Sequence, residues 1–209
     1  MEIGIIGAGH MGTAFAKRLT LAGHRVRITA KHPEHAERAA RAAGGHARPV
    51  RPEEVARDAD IVILATHYDD SVGALRSVGD VAGKPIVEIS NPVNPEMSGL
   101  ELGFTTSAAE EIQKAVPDAK VVKAFNTIFA RILGETLPSG VHPQVFYCGD
   151  DAEAKRTVRA IIDGAGFAPV DAGPLRNARN LEPLGMLNIY LGHAAGMGTD
   201  VAPAEIRVG

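Results

Sequence analysis

The chain has 209 residues, of which 45% are hydrophobic and 22% are charged, and its formal net charge is −3. These values are typical of a globular domain with a sizeable core. The small negative net charge gives no sign of the basic surface that binds nucleic acids or membranes, so we expect neither as a partner. Cys148 is the only cysteine, which excludes an internal disulfide and favours a cytoplasmic location, and the N-terminus enters a strand directly, so we expect no signal peptide.

The first predicted elements are a strand, a glycine-rich turn and a helix. Glu2–Ile6 is a short apolar strand, and residues 13–22 have the apolar spacing of a helix. Between them, the spacing G-x-G-x-x-G is typical of a dinucleotide site. We expect Gly7 to allow a tight turn, Gly9 to let a pyrophosphate approach the backbone, and Gly12 to allow close helix packing. The alternative is an ordinary glycine turn between a strand and a helix.

The rest of the chain alternates between predicted strands and helices. Strands are predicted at residues 25–29, 47–50, 60–65, 85–89, 120–124, 144–148 and 168–171, and helices at residues 33–43, 52–57, 69–78, 151–163 and 177–195. Ser107 and Glu110 form a capping box that begins a further helix. This alternation predicts an α/β, Rossmann-like, doubly wound and mainly parallel sheet. We assign residues 1–172 to a dinucleotide-binding Rossmann domain and residues 173–209 to a short C-terminal helical extension that packs on it.

The end of the second predicted strand indicates which dinucleotide binds. NAD enzymes usually carry an acidic residue about twenty positions after the glycines, where it binds the ribose 2′-hydroxyl. Here no Asp or Glu lies between Glu2 and Glu34, and the strand ends with Thr29, Ala30 and Lys31. A lysine attracts a 2′-phosphate that a carboxylate would repel, and Thr29 can add a hydroxyl. We therefore predict NADP, although Lys31 could instead be a solvated surface residue.

The loops that follow the strands contain few groups suited to acid–base chemistry. No catalytic lysine, Ser-His-Asp set or carboxylate pair stands out there, which favours hydride transfer between stacked planar rings. His67 and Asn126 are the candidate catalytic residues. His67 could donate a proton or make a polar contact, and Asn126 could bind a coenzyme ring or fix the backbone of its turn. His32 and His35 have no third ligand nearby, so no metal site is predicted.

Charged residues in the last third of the chain have simpler interpretations. Asp150 and Asp151 directly precede a predicted helix, so we interpret them as caps. Arg176 and Arg179 are expected to form surface ion pairs with Glu182, since charges at helical spacing usually pair. The alternative is that they contact an anionic tail of a coenzyme.

Four stretches resemble the F420H2:NADP oxidoreductase family, and the likeness covers essentially the whole chain. They are "VVKAFNTIFARIL", "CGDDAEAK", "VDAGPL" and "RNARNLEPLGMLNIYL". "KAFNT" also resembles the NADPH-flavin domain of the STEAP metalloreductases. The resemblance implies a single Rossmann-like domain, commonly a homodimer, that transfers hydride between NADP(H) and coenzyme F420, a small-molecule partner. FMN or FAD is the alternative partner, and a small-molecule reductase or a non-catalytic NADP-binding redox sensor is the alternative function.

The resemblance also implies which residues contact the cofactors. Those beside the pyrophosphate are Gly7, Ala8, Gly9, His10, Met11 and Gly12; those at the 2′-phosphate are Thr29, Ala30 and Lys31; those at the nicotinamide and the stacked ring are Thr66, His67, Asn126, Thr127 and Ile128. The family has arginine where this chain has Lys31 and often serine where it has Ala30. Archaeal members tend to have histidine in place of Asn126 and a Pro-aromatic pair in place of His67 and Tyr68, so the identity of the second coenzyme stays open.

Overall fold

The computed structural model describes residues 1–206 and 208, and it contains eight strands and eight α-helices. The strands are β1 (Glu2–Ile6), β2 (Arg25–Thr29), β3 (Ala47–Pro49), β4 (Ile61–Leu64), β5 (Pro85–Glu88), β6 (Lys120–Ala124), β7 (Gln144–Gly149) and β8 (Ala168–Asp171). The helices are α1 (His10–Leu21), α2 (Pro33–Ala43), α3 (Pro52–Val55), α4 (Tyr68–Ser77), α5 (Ala108–Ala115), α6 (Ala130–Gly134), α7 (Ala152–Gly164) and α8 (Ala178–Ile189). A 3-10 turn (Leu175–Asn177) precedes α8 and a π-helical turn (Tyr190–Ala194) follows it.

All eight strands belong to one sheet, in the order β3-β2-β1-β4-β5-β6-β7-β8. The first six strands are parallel to one another. The strand order reverses between β1 and β4, and ligands of such sheets bind at this switch point, beyond the carboxyl ends of the strands. The predicted Rossmann-like, mainly parallel fold is confirmed.

The last two strands run against the first six, which the sequence did not predict. β7 is antiparallel to β6 and β8 is parallel to β7. A parallel neighbour would require a crossover that returns the chain to the opposite edge of the sheet. Instead α6 stays at the carboxyl edge, where the Arg18 guanidinium of α1 donates to the carbonyl oxygens of Leu133 (2.8 Å) and Ile132 (3.1 Å). The chain therefore re-enters the sheet from the edge at which it left.

Apolar side chains cover both faces of the sheet. One core cluster contains Ile3 and Ile5 of β1 with Phe15 of α1, and the other contains Val62 of β4 with Leu75 of α4. Burial of each such side chain stabilises the fold by about 1.5–3 kcal/mol. Within residues 1–206 and 208, no helix has both the length and the apolar character needed to cross a membrane.

Helix α1 begins three residues earlier than predicted. It starts at His10, with Gly9 as its N-cap, so Gly12 lies in the first helical turn. Glycine has a low intrinsic helix propensity, so the presence of Gly12 gave no sign that the helix begins before it. The glycine turn is consequently shorter than expected, and the free backbone N–H groups of the helix lie immediately after Gly9.

Candidate functional site

The carboxyl ends of five parallel strands are level with one another. Thr29 pairs with Ile6, Ile6 pairs with Leu64, Leu64 pairs with Glu88, and Glu88 pairs with Lys123. The loops that follow β2, β1, β4, β5 and β6 therefore leave the sheet side by side. Every predicted site residue belongs to one of these strand ends, to the loop after it or to the start of α1, so the fold brings the predicted site to one edge.

Each glycine of the first turn has a separate geometric role. Gly7 has a φ of +102°, and a β-carbon there would lie 2.3 Å from the Ala65 carbonyl oxygen. A β-carbon on Gly12 would lie 1.9 Å from the Gly7 carbonyl oxygen, so α1 packs directly on the end of β1. A β-carbon on Gly9 would have no heavy atom within 4 Å. The turn and the helix packing thus require Gly7 and Gly12, whereas the space beside Gly9 is open.

The start of α1 is suited to an anion. Gly9 provides no side-chain cap and the first turn holds no acidic residue, while Gly9 and His10 are exposed. The first N–H groups of a helix have no partner inside it, and they carry partial positive charge. Because those N–H groups adjoin the open space at Gly9, the residues present fit the pyrophosphate of a dinucleotide.

The end of β2 lies beside the glycine turn. The Thr29 carbonyl oxygen accepts a hydrogen bond from Gly7 N (2.9 Å), and the Thr29 side chain is buried. Ala30 is half-buried and Lys31 is exposed. No group of three His, Cys, Asp or Glu side chains that could hold a metal ion occurs in the part of the chain that the structure describes. Lys31 forms no side-chain hydrogen bond or ion pair with any described residue. The Lys31 ammonium is thus placed at the strand end where a 2′-phosphate would need a cation.

The loop after β4 contributes a short chain of hydroxyl groups. Thr66 Oγ1 lies 3.0 Å from Ser71 Oγ, which donates to the His67 carbonyl oxygen (2.9 Å). His67 is the N-cap residue of α4 and its side chain is exposed. The hydrogen bonds fix the backbone of this loop, and they leave the His67 imidazole at the rim of the sheet edge.

The turn after β6 is buried. Asn126 is 7% exposed, and its Nδ2 donates to Asn91 Oδ1 (2.9 Å) and to the Leu181 carbonyl oxygen of α8 (2.7 Å). Thr127 is 1% exposed, and the Ile128 side chain belongs to the apolar core. The Asn126 side chain therefore docks α8 on this turn, and Ile128 can offer a ligand only its backbone.

A buried ionic cluster lies under the same edge, and the sequence analysis missed it. Lys123 Nζ lies 2.5 Å from Glu88 Oε2 and 2.9 Å from Glu182 Oε1, and it also donates to the Ser90 carbonyl oxygen. Glu182 accepts from the Ala108 backbone N (3.0 Å). These charged side chains are almost completely buried. A lysine within an apolar strand is the available signal, because a buried charge requires a partner.

The Lys123 ammonium is paired with two carboxylates inside the protein. Burial acts to lower the pKa of Lys123, but the two carboxylates outweigh it and hold that pKa above its ordinary value. Burial, with the Glu88 carboxylate nearby, raises the pKa of Glu182. All three hydrogens of the Lys123 ammonium have acceptors. The cluster therefore ties β5, β6 and α8 together and has no free group for acid–base chemistry.

The expected surface pair between Arg179 and Glu182 is wrong. Arg179 instead forms a two-point ion pair with Glu110, with Nε to Oε2 at 2.8 Å and Nη2 to Oε1 at 2.7 Å. Glu182 lies on a different face of α8, turned inward toward Lys123. Helical spacing alone could not distinguish these faces, because Glu110, the partner of Arg179, and Lys123, the partner of Glu182, both lie far away in sequence.

Only one of the two carboxylates before α7 has the predicted capping role. Asp151 Oδ1 accepts from the backbone N atoms of Glu153 (3.0 Å) and Ala154 (2.8 Å), so its interpretation as a cap is confirmed. Asp150 does not cap α7. Its Oδ1 instead accepts from the Leu175 backbone N at 2.9 Å, in the 3-10 turn, which local sequence could not indicate because Leu175 lies 25 positions away.

Comparison with known proteins shows which family this chain resembles. Residues 2–92 match the family described as NADP oxidoreductase, coenzyme F420-dependent. A candidate F420-dependent NADP reductase from Arthrobacter sp. FB24 superposes with a TM-score of 0.82 at 29% identity, over 94% of this chain and 96% of that one. The chain is thus similar to this family over its N-terminal part in sequence and over nearly its whole length in fold. These matches indicate the class of NADP-dependent oxidoreductase.

Two further relatives of this oxidoreductase extend the comparison. A hypothetical protein from Sinorhizobium meliloti is 34% identical, with a TM-score of 0.76, over 84% of this chain and 85% of that one. The metalloreductase STEAP3 from Rattus norvegicus is 34% identical over 184 residues, which are 88% of this chain and 36% of that protein. The oxidoreductase thus spans little more than a third of the length of that metalloreductase.

Proposed function

We propose that this oxidoreductase transfers hydride between NADP(H) and a deazaflavin coenzyme of the F420 type. The observation that carries the proposal is the acid-free start of α1, which is open at Gly9. The end of β2, which leads into the exposed Lys31, is hydrogen-bonded to the same glycine turn. The family description and the name of the Arthrobacter relative support F420 as the second coenzyme. When bound, NADPH supplies a hydride from its nicotinamide ring.

In this proposal the residues of the sheet edge bind and align the two coenzymes. The backbone N–H groups of His10, Met11 and Gly12 hold the pyrophosphate, and Lys31 holds the 2′-phosphate. Ala8 and Ala30 leave room for the dinucleotide backbone, and Thr29 adds a polar group beside the ribose. Thr66 and His67 line the nicotinamide side, and the turn of residues 126–128 lines the place of the second ring.

The buried charge cluster supplies no acid or base to the rings in this proposal. Lys123, Glu88 and Glu182 satisfy one another below the surface of the edge. Hydride transfer between two aligned planar rings depends chiefly on proximity and orientation, which a rigid edge supplies. We therefore assign alignment, rather than proton transfer, as the contribution of the protein.

The metalloreductase likeness favours a second candidate, NADPH-dependent reduction of FMN or FAD. The 34% identity to STEAP3 covers 88% of this chain, including the turn after β6. Both candidates use the same nucleotide site and differ only in the second ring. The homodimer and the cytoplasmic location predicted from the sequence stay predictions.

The test mixes the purified chain with NADPH and with oxidised F420, FMN or FAD in separate reactions, and follows the nicotinamide absorbance. We expect the fastest loss of NADPH with F420. Faster loss with a flavin would select the second candidate. Tight NADPH binding without oxidation by any acceptor would contradict both and would favour a redox sensor. Gly9→Val serves as the control that blocks the nucleotide site.

A further inference from the structure

The buried cluster of Lys123, Glu88 and Glu182 holds one ammonium against two carboxylates. Glu88 accepts hydrogen bonds from the Ser90 backbone N (2.7 Å) and from Lys123 Nζ (2.5 Å). Glu182 accepts from Lys123 Nζ (2.9 Å) and from the Ala108 backbone N (3.0 Å). A protonated carboxyl needs an acceptor for its hydrogen, whereas each of these partners is a donor. The hydrogen bonds therefore fit two ionised carboxylates, and the cluster has one negative charge in excess.

Stability alone does not explain the second carboxylate. Burial raises the pKa of Glu182, which shows that its charge is unfavourable inside the protein. The N-terminus of α5, where Ala108 N meets Glu182, offsets only about half a unit of that charge. Buried ion clusters contribute little to stability, and ionisable groups in such surroundings concentrate at functional sites. The excess charge is therefore a candidate for a functional role.

The cluster lies at the carboxyl edge of the sheet and is closed to water. Glu88 is the last residue of β5, and Lys123 of β6 is its register partner. The Lys123 ammonium also donates to the carbonyl oxygen of Ser90, in the loop that follows β5. The side chains of the cluster are almost completely buried, so water and salt screen their charges weakly. Their field acts on the space beyond the strand ends without any movement of the protein.

The negative charge also acts on the loop that follows β4. Tyr68 is the first residue of α4, directly after His67. Burial raises the pKa of Tyr68, and nearby carboxylates, that of Glu182 among them, raise it further. The field of the cluster is therefore present beside the loop that the proposed function assigns to the nicotinamide side.

We propose that Glu88 and Glu182 tune the bound nicotinamide couple, because the excess negative charge of their cluster stabilises the oxidised ring relative to the reduced ring. The oxidised ring carries a positive charge that the reduced ring lacks, so the field acts on one redox state only. This inference rests on the proposed function and deepens it, since it assigns the favoured direction. The ring gives a hydride, with both electrons, to the oxidised second coenzyme, which takes a further proton from water.

The test measures by titration how tightly three probes bind. The probes are NADP⁺, NADPH and 2′-phospho-ADP-ribose, which lacks the nicotinamide ring. Glu182→Gln and Glu88→Gln each remove one negative charge with little change in size. We expect each variant to weaken NADP⁺ by about fivefold or more and to change the other two affinities by less than about twofold. Each tenfold change in the ratio of NADP⁺ to NADPH affinity raises the midpoint potential of the bound couple by about 30 mV.

Ser107→Ala is the control that separates charge from packing. Ser107 is buried at the start of α5, where its Oγ accepts from the Glu110 backbone N (3.2 Å). Its replacement disturbs the helix terminus that Glu182 binds but changes no charge. We expect a lower Tm and a wild-type ratio of the two affinities. Glu88→Gln changes the charge from a different strand, so it provides the test if Glu182→Gln does not fold.

Three results would overturn this inference. They are an unchanged ratio of NADP⁺ to NADPH affinity in a folded glutamine variant, an equal loss of affinity for all three probes, and a shift of similar size in Ser107→Ala. None of these readouts requires turnover. The expected shift in a chain that reduces no F420 would contradict the proposed hydride transfer and support the role of the cluster. Reduction of F420 by a chain whose ratio does not shift would overturn the role of the cluster alone.

Discussion

Replacement of Gly9 by valine should remove nucleotide binding and leave the fold intact. Gly9 has φ −76° and ψ −160°, an extended conformation that valine adopts, and no heavy atom lies within 4 Å of the added β-carbon. Valine is a poorer N-cap than glycine by about 0.5–1 kcal/mol, and the loss of freedom in the unfolded chain offsets about 0.4–1 kcal/mol. The net change in unfolding free energy is within about 1 kcal/mol, and Tm should move by less than about 4 °C.

The same valine would fill the space that the pyrophosphate needs. Two or more charge-assisted hydrogen bonds to the start of α1 would be lost, each contributing about 1.5–3 kcal/mol. We therefore expect NADPH affinity to fall at least about 100-fold. The assay combines a thermal melt with a fluorescence titration of NADPH.

Two controls bracket the Gly9→Val result. Gly164→Val adds the same side chain at another open glycine, at the end of α7, and should bind NADPH normally. Gly12→Ala places a β-carbon 1.9 Å from the Gly7 carbonyl oxygen and should destabilise the fold itself. Wild-type NADPH affinity in a folded Gly9→Val protein would refute the proposed path of the pyrophosphate.

Three further predictions concern charge and reactivity. Lys31→Glu should weaken NADPH about tenfold or more and leave NADH nearly unchanged in titrations; equal losses would remove Lys31 from the 2′-phosphate. The hydrogen-bonded Arg179 guanidinium lowers the pKa of Glu110 below its ordinary 4.5. The ion pair therefore stabilises the fold fully above about pH 4.5, and this stabilisation is lost as the pH falls through the lowered pKa. Arg179→Met should therefore lower the midpoint of urea unfolding at neutral pH and lower it much less near about pH 3, whereas a difference that does not change with pH would refute the pairing. Burial raises the pKa of Cys148 to about 12, so a thiol reagent at about pH 8 should label it only as fast as the protein unfolds, and rapid labelling would contradict this.

Much of the fold follows from apolar periodicity and turn chemistry. The parallel strands from Glu2–Ile6 to Lys120–Ala124 lie within one or two residues of their predicted bounds. The reversed direction of β7 could not be predicted, because the segment before it is held by contacts that are distant in sequence, such as the hydrogen bond from Arg18 to the Leu133 carbonyl oxygen 115 residues away. Local patterns carry no information about such distant hydrogen bonds.

The candidate site likewise has features that the sequence predicted and contacts that it could not predict. The roles of Gly7 and Gly12 follow from spacing, since only a residue without a β-carbon avoids a clash with backbone at these two positions. The contacts between Asn126 and α8 could not be predicted, because they join residues 55 positions apart. The pairing of Lys123 with Glu182 was missed for the same reason, and the nearby Arg179 offered a plausible but wrong partner.

Transfer of deuterium from labelled NADPH tests the central claim most directly. The purified chain is mixed with NADPH deuterated at either C4 position and with oxidised F420 in ordinary water, and the reduced coenzyme is analysed by mass spectrometry. Direct hydride transfer places the deuterium on a ring carbon that does not exchange with water, so we expect it in the product for one of the two labels. Reduced F420 without deuterium from either label, or no reduction at all, would contradict the account.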